Sequence, residues 1–221
     1  MSNRTIYNAL INAGLTPEGA CGLMGNMMAE STMKSNIAQR GMTKLSDEQY
    51  TAAADNGLID FTRDGVGYGL CQWTASSRKA ALLAYAKSKG VSVGDEAMQV
   101  QFCLREMQEN FNNVAWVLRT SHDIDECADR VCDKYEMPAI NNYPARREYA
   151  RKFYSEFCGG SALAQETPVA SDARPIFPPD PSVMVIQMVM NYNGYWDKPD
   201  GQKTKEFFDA LRTFVNDMEA C

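Results

Sequence analysis

Between Thr16 and Ala29 the chain carries more apolar side chain than one face of a helix can hold. Thr16 followed by Pro17 reads as an N-cap with proline in the first helical position, so a helix starts there. Its apolar residues Ala20, Leu23, Met24, Met27 and Met28 cover more than one face. Such a helix has to be surrounded by other elements. The expected fold is therefore built around a central buried helix, with Gly22 and Gly25 admitting neighbours at close range. The helix runs to about Ala29 and is followed by an acid, Glu30, and Ser31. Burial penalises the charged form of a carboxyl. An acid at the end of an apolar helix is thus a candidate proton donor.

A second stretch complements the first. Asp60-Phe61-Thr62-Arg63-Asp64-Gly65-Val66-Gly67-Tyr68-Gly69-Leu70-Cys71-Gln72-Trp73-Thr74 is punctuated by glycines and rich in aromatics. Alternating glycines remove side chains where a polymer could lie against the backbone. Residues 58–74 read as strand or loop, and as a small hairpin they would form the only sheet.

Glu30-Ser31 followed by Gly69-Leu70-Cys71-Gln72 resembles the paired motifs of goose-type lysozymes and lytic transglycosylases. The longer run Gly67 to Thr74, then Arg78, resembles the tail-associated lysozyme domain of bacteriophages more closely, over about residues 5 to 158. A third segment, Glu136-Met137-Pro138 and the helix starting at Arg146-Arg147, resembles the end of that domain. The resemblance implies cleavage of peptidoglycan glycan strands at the β-1,4 bond between N-acetylmuramic acid and N-acetylglucosamine. It implies Glu30 as general acid. Goose-type lysozymes carry a water-positioning Asp just before the glycine run. Here Arg63 falls at that alignment, which leaves Asp64 and Asp60 as candidates. Ser31, Tyr68, Gln72, Trp73, Asn142 and Tyr143 are the expected sugar-binding residues, with one of Tyr68 and Trp73 expected in the core. Glu136 is expected to pair with Arg146 or Arg147 and pin a loop to the last helix. If neither Asp faces the cleft, Glu30 acts alone and the sugar's own 6-hydroxyl attacks, giving the anhydro product of a transglycosylase. An inactive wall-binding virion component is the remaining alternative.

The remaining helices follow from local signals. Ile6, Leu10 and Ile11 mark one that Gly14 stops. Ser46-Asp47-Glu48-Gln49 is a capping box for another, closed by Gly57. Ser76 or Ser77 opens one that reaches Lys89 and Gly90. Residues 95–111 form a long core helix, Val114 to Leu118 a short one, and Asp123 to Tyr135 a further one ended by Pro138. The expected architecture is mainly α: a lysozyme-like domain over 1–158 with a small β-hairpin, a Pro/Ser/Ala-rich linker over 159–181, and a small helical domain over 182–221. That last segment resembles a short helical peptidoglycan-binding domain. Tyr195 and Trp196 are its candidate wall contacts, and it could instead pair two copies of the chain.

Composition narrows the function classes. A net charge of −6 argues against nucleic acid as partner. No apolar run approaches the roughly 18 residues of a membrane span, and the N-terminus lacks an apolar signal-peptide core. The expected route is therefore release from the host cytoplasm to the host wall, as for an endolysin, or carriage on a virion. The seven cysteines have scattered spacing and read as small buried side chains, not as a disulfide framework. His122 with Cys127 and Cys132 matches no zinc pattern, so neither metal nor cofactor is expected. One histidine in the chain excludes most Cys-His and Ser-His hydrolase designs.

Overall fold

A computed structural model describes residues 2–159 of the chain. They form eight α-helices: α1 (Asn3–Asn12), α2 (Pro17–Ser31), α3 (Asp47–Asp55), α4 (Ser76–Lys89), α5 (Glu96–Asn110), α6 (Asn112–Thr120), α7 (Ile124–Val131) and α8 (Tyr143–Cys158). A π-helical turn, π1 (Cys132–Glu136), extends α7. The expected linker beyond Gly159 and the C-terminal helices with Tyr195 and Trp196 lie outside the described residues.

The caps match the local chemistry. The Thr16 side chain accepts from the Gly19 N–H at 2.9 Å and opens α2. Ser46 and Gln49 form the reciprocal capping box of α3. Each such cap contributes about 1 kcal/mol.

Helix α2 is the centre of the domain. It packs along α8 and α7 and also meets α6 and α1. Ala20, Leu23, Met24 and Met27 are fully buried. Each of the three larger side chains contributes roughly 1.5–3 kcal/mol by leaving water. Glycines set the packing distance. A methyl group at Gly22 would sit 2.6 Å from Cys127 Cβ on α7, and one at Gly25 would sit 2.6 Å from the Arg146 carbonyl oxygen on α8. Gly19 faces the Leu118 carbonyl at the end of α6 in the same way. Three residues apart, these positions let α6, α7 and α8 each touch the α2 backbone.

The expected hairpin is not formed. Among the described residues there is no strand, only isolated bridges from Tyr68 to Ala38 and to Trp73. Tyr68 and Trp73 exchange both backbone hydrogen bonds, at 3.2 and 2.9 Å. The chain between them turns at once, with Gly69 at φ +76° and Gln72 at φ +44°. Glycine also weakens strand pairing in its neighbourhood. The loop is instead tied to residues 37–39, through Gly69 N–H to the Ile37 carbonyl at 3.0 Å and Gln39 N–H to the Gly67 carbonyl at 2.7 Å.

The helix expected from Asp123 to Tyr135 changes character at Cys132. The Met137 N–H reaches back five residues to the Cys132 carbonyl at 2.8 Å, and Met137 adopts the left-handed conformation. Tyr135 anchors the turn, because its buried hydroxyl donates to Glu106 Oε2 at 2.7 Å. Turns of this type recur at functional sites.

Candidate active site

A cleft of about 850 Å³ opens where the C-terminus of α2, the glycine-rich loop, α4 and π1 converge. Its lining includes Glu30, Gln39, Gln72, Thr74, Arg78 and Glu136. A smaller hollow of about 510 Å³ lies between α4 and α5. There Arg78 and Glu106 already satisfy one another, with Nε–H to Oε1 and Nη2–H to Oε2 both at 2.8 Å.

Glu30 sits in the last turn of α2 with 18% of its side chain exposed. Its surroundings are not the apolar ones expected from the helix alone. The Arg146 guanidinium of α8 donates to Glu30 Oε1 at 2.5 Å and to Asn26 Oδ1 at 2.8 Å. Asn26 is itself fully buried, and its amide donates to the Gly22 and Ala128 carbonyls, both at 2.9 Å. Asn26 and Glu30 lie one turn apart on the same face of α2. A single buried arginine therefore reads both and fixes the carboxylate. Asn26 was not among the expected site residues. An amide inside an otherwise apolar helix was the signal for it, since buried polar groups need partners.

Arg146 is committed to Glu30 and Asn26, and Arg147 to Asp129, with Arg147 Nε–H to Oδ1 at 2.8 Å. The expected pair between Glu136 and one of these arginines is therefore absent. Glu136 accepts no hydrogen bond from any described residue, and its Oε1 is buried without a partner. Burial first, and the charge of Glu30 second, push the Glu136 carboxyl well above the usual carboxylate range, against the opposing pull of Arg78 and Arg146.

The two aspartates do not join this cleft. Asp64 Oδ1 receives the fully buried Lys79 ammonium at 2.6 Å, and its Oδ2 receives the Tyr50 hydroxyl at 2.5 Å. Lys79 also donates to the Val66 carbonyl at 2.7 Å. Burial pushes the Lys79 pKa down and Asp64 opposes that shift. Asp60 is exposed and accepts from the Thr62 hydroxyl at 3.1 Å.

Gln72 lines the cleft and donates to the Gly69 carbonyl at 3.1 Å. Ser31 borders it, but its buried hydroxyl turns back to the Met27 carbonyl at 2.8 Å. Tyr68 and Trp73 are both fully buried, so neither lines an open sugar cleft. The Tyr68 hydroxyl meets Thr51 Oγ1 at 2.6 Å, and the Trp73 indole donates to Glu106 Oε2 at 3.0 Å. Glu106 thus gathers Trp73, Arg78 and Tyr135 beneath the cleft. Asn142 and Tyr143 lie away from the lining. Asn142 is the residue before α8, and the Tyr143 hydroxyl is bonded to Asp133 and to Asn141. Among the described residues no group of three His, Cys, Asp or Glu side chains could hold a metal ion.

A family model described as phage tail lysozyme matches residues 2–157. Morphogenesis protein 1 of Bacillus phage B103 is 26% identical over 174 residues, which are 72% of this chain and 41% of that protein. The chain therefore spans less than half the length of that relative.

Proposed function

The chain belongs to the phage tail lysozyme family, and from that premise we propose that it hydrolyses the glycan strand of bacterial peptidoglycan in the cleft beside Glu30. The bond cut is the β-1,4 linkage after N-acetylmuramic acid. The observation that carries this reading is the seating of Glu30: a carboxylate at the cleft wall, fixed by a buried arginine that also reads Asn26 one turn away. A catalytic carboxyl has to be held in one geometry by groups that are themselves locked, and this one is. The presence of a further carboxyl, Glu136, in the same lining favours hydrolysis over a single-acid transglycosylase, because water-mediated cleavage employs two carboxyl groups.

The glycan-cutting role fits either release of progeny or local opening of the wall by a virion-borne protein. The similarity to a phage morphogenesis protein favours the virion-borne use.

The test is digestion of purified peptidoglycan followed by mass spectrometry of the products. New reducing ends are expected. Products with 1,6-anhydro ends, each lighter by one water, would show a transglycosylase. Glu30→Gln should lower the rate by about 10²–10⁴-fold with unchanged circular dichroism. Retention of more than about a tenth of the rate, well above that range, would remove Glu30 from the chemistry.

A further inference from the structure

Three residues of α5 meet the glycine-rich loop in order. Gln99, Cys103 and Glu106 stand on one face of that helix at helical spacing. Gln99 Oε1 accepts from the Leu70 N–H at 2.9 Å, Cys103 Sγ meets Cys71 Sγ at 3.7 Å, and Glu106 Oε2 accepts from the Trp73 indole at 3.0 Å. The loop lies close on the helix, since a methyl group at Gly69 would sit 2.5 Å from Gln99 Oε1. Hydrogen bonds between the same two elements therefore bracket the thiol contact on both sides. Both cysteines are free and buried. Among the described residues no group of three His, Cys, Asp or Glu side chains could hold a metal ion, so the pair is not part of a metal site. Cys71 also lines the cleft, beside Gln72, so the pair borders a space of about 850 Å³.

We propose that Cys71 and Cys103 are a covalent modification site: exposed to a small-molecule disulfide of the glutathione class, they form an intrachain disulfide that fastens the glycine-rich loop to α5. The reagent enters by the cleft. The Cys71 thiol gives up its proton, and its sulfur attacks the reagent's disulfide. One reagent thiol leaves, and a mixed disulfide remains on Cys71. Cys103 then gives up its proton, and its sulfur displaces the second reagent thiol from Cys71. The two cysteines lose two electrons and two protons in all, and one reagent disulfide is reduced to two thiols.

The fold favours this product. A disulfide brings its sulfurs to about 2.05 Å, so the two thiols have to close by only roughly 1.7 Å from their 3.7 Å contact. Loop and helix are already held together, so closing the bond orders little further chain. By the same cycle, a bond that the fold favours stabilises the fold. Burial first, and Cys103 beside it, push the Cys71 thiol well above its ordinary range. The thiolate is the attacking species, so exchange is slow. The position of equilibrium is set by the reduction potential of the pair and of its surroundings. The thiols therefore stay reduced in a reducing cytoplasm, and the disulfide persists in an oxidising exterior. The cross-link is independent of the glycan-cleavage reading, because neither thiol takes part in that chemistry.

The experiment equilibrates the native full-length protein with oxidised glutathione or with dithiothreitol. Remaining thiols are alkylated, and a digest made without reductant is mapped by mass spectrometry. Oxidised protein should yield a peptide containing Cys71 joined to one containing Cys103, lighter by two hydrogens than their sum. Its Tm should lie roughly 5–10 °C above that of the reduced protein. Dithiothreitol should reverse both changes. Cys103→Ala should show neither the joined peptide nor the rise in Tm. Should that variant not fold, the wild type alone decides, since mapping and reversal require no substitution. Cys71 and Cys103 both recovered alkylated after equilibration would overturn the proposal. So would a joined peptide that forms only in denaturant, or a cross-linked protein with a lower Tm than the reduced one. Cys21 also interacts with Cys158, and a map that joins those two while leaving Cys71 and Cys103 as thiols overturns it too.

Discussion

Single side chains in this domain owe their roles to a partner more than to their type. Asp64 illustrates this. Its position beside the glycine run resembles that of a water-positioning acid, yet both of its oxygens are occupied, by Lys79 and by Tyr50. Lys79 is wholly buried and has no other anionic partner among the hydrogen bonds it makes. Breaking a buried pair from one side leaves an uncompensated charge, at a cost of about 3–5 kcal/mol. Asp64→Asn is therefore expected to destabilise the fold by about that much, read as a lower denaturant midpoint at unchanged slope. Below the melting transition it should retain most of its turnover. A variant with native stability and no activity would return Asp64 to the chemistry. Tyr68 and Trp73 follow the same logic. Each has a polar atom that found a partner inside the fold, Thr51 or Glu106, and so each could be drawn wholly into the core.

Among the elements, α2 and α8 make the site together. The contact depends on Gly25, because any side chain there meets the Arg146 carbonyl and the backbone nitrogen of Ala150. Arg146 is carried on that segment of α8, so helix spacing and the fixing of Glu30 are one structural fact. Gly25→Ala forces the helices apart and should cost about 1–3 kcal/mol as an overpacking change. Because the shift moves Arg146 from Glu30, cleavage should fall further than the loss of folded protein explains. Rate measurements well below the melting temperature, paired with thermal unfolding, check this. An active Gly25→Ala enzyme with only lowered stability would show that the ion pair is dispensable. The π-helical turn acts at the same scale. Its five-residue hydrogen bond from Met137 to Cys132 closes the segment whose last residue is Glu136.

At the scale of the whole molecule, the family match over residues 2–157 and the described residues 2–159 coincide. The hydrophobic core of these residues is continuous from Ile6 to Phe153, so the segment holds the core that a domain requires. A fragment ending after Cys158 is therefore expected to unfold in one cooperative transition and to cleave soluble glycan fragments at close to the full-length rate. Residues 182–221 are proposed to serve wall engagement or self-association. On that proposal, truncation should weaken binding to whole walls or change the elution volume on a sizing column. A fragment that folds but cannot cut soluble glycan would show that the C-terminal residues complete the catalytic site.

The sequence alone determined the parts of this protein that depend on neighbours a few residues apart. The caps at Thr16 and Ser46, the stops at Gly14, Gly57 and Gly90, and the burial of α2 all arise from local hydrogen bonding, backbone freedom and helical periodicity. Glu30 in the cleft wall belongs with them, since the end of α2 placed it. Which groups meet Glu30 was decided only by the tertiary structure. Arg146 lies 116 residues away in the chain, and either Arg146 or Arg147 could have faced Glu136 until α8 packed on α2. The single bridge between Tyr68 and Trp73 likewise stands where a hairpin was expected, because the loop is tied across the fold to residues 37–39. Charge partners and burial are set by distances across the fold. A one-dimensional pattern records which residues could pair, and only packing selects among them.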